Sequence, residues 1–170
     1  MRVPAQRLHP ARAFRSKLRK FRRAWRSYLA QSFLAALTIF LVLLFLSLEH
    51  AVIIAAIGAT AFIVFAMPEN TCARPRGIIG GHSIGFVVGS LCALLPHSSL
   101  CWSITAYSIA VGLSILLMVV VDMEHPPAAS TALGLAIRGF SLNAAIAIVT
   151  SALVLALAHR VLRPCLRDLV

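Results

Sequence analysis

Apolar residues in this chain fall into long blocks with short polar interruptions, rather than alternating with polar ones. Tyr28 to Leu48 supplies about 21 residues, roughly 31 Å of helix, which matches a hydrocarbon core of about 30 Å. Glu49-His50 closes that run, and a second, Ala51 to Met67, follows at once and stops at the turn-forming Pro68-Glu69-Asn70. A third run, Gly77 to Leu95, comes after Arg74-Pro75-Arg76 and ends at Pro96-His97-Ser98-Ser99. The fourth, Cys101 to Val121, is headed by Trp102, where an interfacial aromatic would sit. Pro127 to Ile137 gives only about 11 residues, roughly 16 Å, too short to cross unaided. A last long run spans Phe140 to Leu162. The pattern predicts an all-α integral membrane protein of about six transmembrane elements, the fifth short or broken.

Composition strengthens that reading. Of 170 residues, 60% are hydrophobic and 12% charged, with a mean hydropathy of +0.91; soluble domains carry roughly 25% charged residues. The net charge of +11 raises nucleic acid as a partner, but ten of the sixteen Lys and Arg residues precede Ser27, with no acidic residue among them. The basicity is therefore an arm, and no nucleic-acid partner is expected. Within it Phe14, Leu18, Phe21, Trp25 and Tyr28 recur at helical spacing against a basic face, which suits a helix lying on an anionic leaflet. A disordered topogenic tail is the alternative. An organellar transit peptide is disfavoured by the lack of Ser enrichment, and no cleavable signal is evident. The division expected is a basic arm over 1–27, a transmembrane domain over 28–162 and a short cytoplasmic tail over 163–170. Cys72, Cys92, Cys101 and Cys165 show no metal-binding spacing and read as unpaired.

Charge also sets the count of crossings. With the basic arm inside, six crossings keep Arg74, Arg76, Arg160, Arg163 and Arg167 inside and leave Arg138 outside. The expected location is a bacterial inner membrane with the N-terminus cytoplasmic. Six crossings divide into three plus three, which places the second half upside down relative to the first. Leu48-Glu49-His50 and Met123-Glu124-His125 then stand in equivalent places, followed by Gly58-Ala59-Thr60-Ala61 and Ala129-Ser130-Thr131-Ala132. A 3+3 inverted repeat with broken helices is how small transporters build a midplane solute site. Ordinary small-residue helix packing is the competing explanation.

The candidate chemistry gathers around Asp122-Met123-Glu124-His125-Pro126-Pro127. The prolines suit a helix start, where a missing N–H costs little, and helix starts offer N–H groups to an anion. Candidate substrate-binding or gating residues are therefore His125, Pro126, Pro127, Ser130, Thr131, Gly58, Thr60 and His82. Glu124, Asp122, Glu49 and His50 are candidates for proton coupling, since a carboxylate and an imidazole exchange protons near neutral pH. A solvated turn at the membrane surface is the plainer reading of this cluster. His82 lies within a span, where an ionisable residue marks a functional site by default; a neutral histidine bonded to a neighbouring carbonyl is the other reading. Gly81, Gly85 and Gly89 form a small face for close helix packing, within the chain or in a homo-oligomer. No catalytic motif, metal ligand set or cofactor-binding loop occurs, so an enzyme is not expected and no cofactor or metal is implied.

These motifs resemble the HPP family of integral membrane proteins. The resemblance rests on His125-Pro126-Pro127 with its Ala-Ser-Thr-Ala-Leu continuation, on Gly58-Ala59-Thr60-Ala61 before Phe65-Ala66-Met67-Pro68, and on Pro75-Arg76 running to Gly80-Gly81-His82. It covers roughly Tyr28 to Leu162. It implies a multi-spanning protein, with some members associated with nitrite transport, and usually fewer spans than six. The CBS-type domain of some relatives is absent, so nucleotide regulation in cis is not expected. A transporter or channel for a small monovalent anion, nitrite above others, is the leading expectation. A non-transporting scaffold or regulatory protein with a lipid- or partner-binding basic arm is the rival.

Overall fold

The structure is a computed structural model and describes residues 10–44 and 51–170, with side chains described from 24 to 42 and from 55 onward. Glu49 and His50 lie outside the described residues, so their proposed part in proton coupling has no structural counterpart here. The described residues form six helices and no strand: α1 (Pro10–Leu44), α2 (Ala51–Ala66), α3 (Pro75–Cys92), α4 (Leu100–Val120), α5 (Pro127–Arg138) and α6 (Leu142–Leu162). Short 3-10 turns occupy Thr71–Ala73 and Arg163–Cys165.

Local sequence explains most of the boundaries. Asn70 accepts from the Cys72 amide and so caps the first 3-10 turn, while Ser99 and Ser141 cap α4 and α6 through the amides of Trp102 and Ala144. Pro75 and Pro127 sit in first turns, where the absent N–H has no helical partner to lose. α4 ends in a Schellman arrangement: Met123 N–H donates to Met118 O at 2.9 Å and Asp122 N–H to Val119 O at 3.3 Å, with Asp122 at φ 57°. α5 ends at Gly139, whose φ of 81° and ψ of 173° belong to a region that is essentially glycine's alone.

Among the described residues three helical segments are long and apolar enough to cross a membrane: Ala24–Val42, Leu100–Val120 and Leu142–Cys165. α5, at 12 residues, reaches only about 18 Å. α1 runs unbroken from Pro10, so the boundary between arm and span at residue 27 is not a break in the helix.

Contacts between helix ends show how the elements alternate. Gln31, near the start of the α1 span, donates to Phe65 O at the end of α2. His159, at the end of α6, donates to Pro68 O. Arg76, at the start of α3, reaches Val121 O at the end of α4, and His125, just before α5, bonds Cys72 O. One end of the bundle therefore gathers the starts of the α1 span, α3 and α5 and the ends of α2, α4 and α6. It also gathers Arg74, Arg76, Arg160, Arg163 and Arg167, whereas Arg138 closes α5 at the far end.

The core is built largely of small residues. Ile57, Val64, Phe65, Ile78, Leu135, Ile148 and Leu155 lie in one cluster joining α2, α3, α5 and α6, and Val88, Ala110, Ala132 and Ala136 join α3, α4 and α5 in a second. The outward faces are apolar too: Phe33, Phe40, Leu116, Val120 and Leu157 are all exposed. An apolar core under an apolar exterior is a fold built for lipid, where packing and buried polar bonds, not water exclusion, hold helices together. The tail over 166–170 folds back on the bundle. Leu169 N–H donates to Ala66 O at 2.9 Å, Gln31 Nε2 to Arg167 O at 2.8 Å and Tyr28 Oη to Leu169 O at 2.8 Å.

Candidate functional site: a buried histidine and threonine network

The closest packing in the bundle positions the site. Gly85 and Gly89 bring α3 against the backbone of α5, where a Cβ would run into the carbonyl oxygens of Ala128 and Ala132. A Cβ on Gly81 would lie 2.7 Å from the Cβ of His125. The small face of α3 is thus filled from within the chain by α5 and its lead-in, and offers no separate surface for a second copy. With α3 and α5 this close, side chains from the middle of α3 and the first half of α5 meet those from the later half of α2.

Four of the candidate residues converge there, and all are buried: Thr60, His82, His125 and Thr131. Thr60 Oγ1 lies 2.9 Å from His125 Nε2 and 3.1 Å from His82 Nε2. His82 Nδ1 lies 2.9 Å from Thr131 Oγ1. His125 Nδ1 lies 2.8 Å from the carbonyl oxygen of Cys72, which can only accept, so this nitrogen carries hydrogen and donates. The two rings stand tilted, 5.0 Å between centroids. A chain of polar contacts thus runs from α5 through α3 and α2 to the turn before α3. His82 has a threonine on each nitrogen rather than a neighbouring backbone carbonyl.

The other candidates are placed differently. Pro127 is buried and Pro126 exposed, and Ser130 is half-buried on α5 outside the network. The amides of Ala128 and Ala129 donate to His125 O and Pro126 O, and the prolines have none, so the start of α5 offers hydroxyls and imidazoles rather than backbone N–H. Gly58 is exposed, with open space where a side chain would be. Asp122 lies on the surface, 3.6 Å from Arg76, both largely exposed. Glu124 is half-buried and lines, with Met118, His125 and Pro126, a cavity of about 280 Å³ on the α4 side of the network. A second cavity, about 140 Å³, is lined by His82, Phe86 and Ile148 on the α6 side.

Three contributors lie outside the sequence candidates. The Cys72 carbonyl is a backbone acceptor, and no side-chain pattern announces one. Gln31 and His159 are polar residues within apolar helices, a signal that was present and points to buried contacts; both fasten elements at the basic end. Among the described residues no Lys or Arg side chain is buried, and no group of three or more His, Cys, Asp or Glu could hold a metal ion.

An alternating bundle of six helices, apolar outside and carrying an interhelical polar network within, is a polytopic integral membrane protein. The chain belongs to the HPP family: the family's transmembrane region matches residues 17–164. A transmembrane protein of Dictyostelium discoideum is 37% identical over 89 residues, covering 52% of this chain and 31% of that protein. A second transmembrane protein of the same organism is 29% identical over 85 residues, covering 50% and 27%. The chain thus aligns with about a third or less of the length of these curated relatives. No solved structure matches.

Proposed function

We propose that this protein carries a small monovalent anion, nitrite being the favoured solute, across the membrane at the Thr60, His82, His125 and Thr131 network. The observation that carries this reading is the network itself: four buried polar side chains from α2, α3, α5 and the lead-in to α5, bonded to one another beside a helix too short to span. Polar groups are costly in lipid and are kept where a solute or proton uses them. Hydroxyls and imidazoles can trade bonds with one another for bonds to an anion. That no arginine or lysine is buried among the described residues favours a singly charged solute over phosphate or sulfate. A cavity lies on either side of the network, one lined by His82 and the other by His125. The inverted repeat belongs to the same reading, with Thr60 and Thr131 as equivalent residues serving one histidine. Positive residues at the basic end support an orientation with the N-terminus and the tail on the cytoplasmic side.

Nitrite flux into proteoliposomes tests the proposal. Uptake above that of empty vesicles, lost in His82→Ala, is the expected result; uptake equal to empty vesicles across pH and a panel of anions overturns it. Orientation has its own readout, since Cys101 and Cys165 are both exposed and lie at opposite ends. An impermeant thiol reagent should label Cys101 from outside and leave Cys165 untouched in intact cells.

A further inference from the structure

Thr60 has three hydrogen-bond partners and a single hydroxyl hydrogen. Its Oγ1 lies 2.9 Å from Ala56 O, 2.9 Å from His125 Nε2 and 3.1 Å from His82 Nε2. Ala56 O can only accept, as can Cys72 O, which commits His125 Nδ1 to donate. With both imidazoles neutral, His125 Nε2 is a bare lone pair and accepts from the Thr60 hydroxyl. Thr60 then accepts from His82 Nε2–H, and His82 Nδ1 accepts from the Thr131 hydroxyl. Every member of the chain is partnered, with all the hydrogens pointing from Thr131 toward Cys72.

One proton added at His125 Nε2 is accommodated without moving a heavy atom. The ring now donates to Thr60 through Nε2 while Nδ1 still donates to Cys72 O. Thr60 receives His125 and His82 on its two lone pairs and turns its own hydrogen to Ala56 O. His82 and Thr131 keep the bonds they had. A single hydroxyl torsion therefore separates two fully satisfied protonation states.

We propose that His125 is a proton-uptake site switched by the Thr60 hydroxyl, and that its proton travels with the anion. The coupling to an anion rests on the proposed solute; the proton site rests on the geometry alone. Uptake forms one Nε2–H bond with a proton from solution, release breaks it, and nothing is oxidised or reduced. An imidazolium alone in this apolar interior is costly, and a monovalent anion arriving with the proton cancels its charge, which makes the cycle electroneutral. Thr60 faces His125 from α2, the Cys72 carbonyl from the 3-10 turn, the His82 ring and Gly81 from α3 and Met118 from α4. Glu124, half-buried, shares its cavity. Asp122 and Arg76 are paired with each other at the surface.

The test is ¹⁵N NMR of the full chain in bilayers, with labelled histidine, over a pH series with and without nitrite. At high pH His125 should carry hydrogen on Nδ1 and His82 on Nε2. On acidification His125 should become doubly protonated while His82 keeps its tautomer, and at a fixed pH nitrite should raise the doubly protonated His125 population several-fold. Thr60→Ser, which keeps the hydroxyl, should retain proton uptake at His125, and Thr60→Val should abolish it. A His125 that stays neutral until helical structure is lost, a His82 that protonates first, or a Thr60→Val protein that titrates like the native one each overturns the proton site. In vesicles carrying an internal pH dye, nitrite entry without proton entry overturns the coupling and leaves transport standing. Absent nitrite flux with Thr60-dependent uptake intact overturns the solute and supports the proton site.

Discussion

Two buried histidines reach backbone carbonyls in the same short connection between α2 and α3, and they end in different chemistry. His159 comes from the last turn of α6 and donates through Nε2 to Pro68 O at 2.9 Å; its Nδ1 is buried with no partner among the described residues. His125 comes from the lead-in to α5 and donates through Nδ1 to Cys72 O at 2.8 Å, while its Nε2 meets Thr60, which also meets His82. The carbonyl bond is common to both, so it fastens a helix end to the connection and does no more. The second nitrogen makes the difference. In His159 it is buried with nothing to bond, and in His125 it opens onto a network with a choice of hydrogen positions.

The largest effect expected comes from pushing the network apart while leaving His159 in place. In Gly85→Val the new Cβ meets backbone, the Ala128 carbonyl, which cannot swing aside as a side chain would. Separating α3 from α5 also draws His82 away from Thr131. A loss of about 3 kcal/mol or more is expected from overpacking of this kind, seen as a drop in thermal midpoint in detergent, together with loss of flux. A fully active Gly85→Val protein would mean that the α3 and α5 contact does not hold the site.

Next in size is the direct contrast between the two histidines. His125→Ala leaves Thr60 and Cys72 O short of a partner and opens a void, at a cost of about 2–3 kcal/mol. Flux should fall at least tenfold even where the protein remains folded. His159→Leu removes one hydrogen bond and, with it, a buried nitrogen that has no partner, so stability should stay within about 1 kcal/mol of the native protein. Its flux should be unchanged. Equal loss of flux in both variants would collapse the distinction between fastening and function.

The sequence makes the helices legible because each is bounded by residues with local reasons to start or stop one. α4 was expected over Cys101 to Val121 and is found at Leu100–Val120; α5 was expected over Pro127 to Ile137 and is found at Pro127–Arg138. α3 starts two residues earlier than expected because Pro75 is tolerated in a first turn, and the arm joins α1 because nothing between Pro10 and Leu44 breaks a helix. Site members were legible one at a time as polar residues in apolar surroundings. Their partnerships were not: Thr60 and His125 are 65 positions apart and meet only because a glycine face on α3 lets α5 approach. The glycine face serves packing, as its spacing implies, but its partner is fixed by three-dimensional fit and leaves no trace in spacing.

The smallest effect separates Asp122 from His125, three residues away and grouped with it by the sequence. Asp122 takes φ 57° as the left-handed residue closing α4, where a side chain costs about 1 kcal/mol that glycine does not incur. Its pairing with Arg76 at 3.6 Å is exposed and screened, and contributes less than about 0.5 kcal/mol. Asp122→Gly should therefore raise stability by roughly 0.5 kcal/mol, the difference between those two effects. If Asp122 only ends a helix, flux and its pH dependence should match the native protein. A shifted pH profile in this variant would return the carboxylate to the proton path and reduce His125 to one station along it.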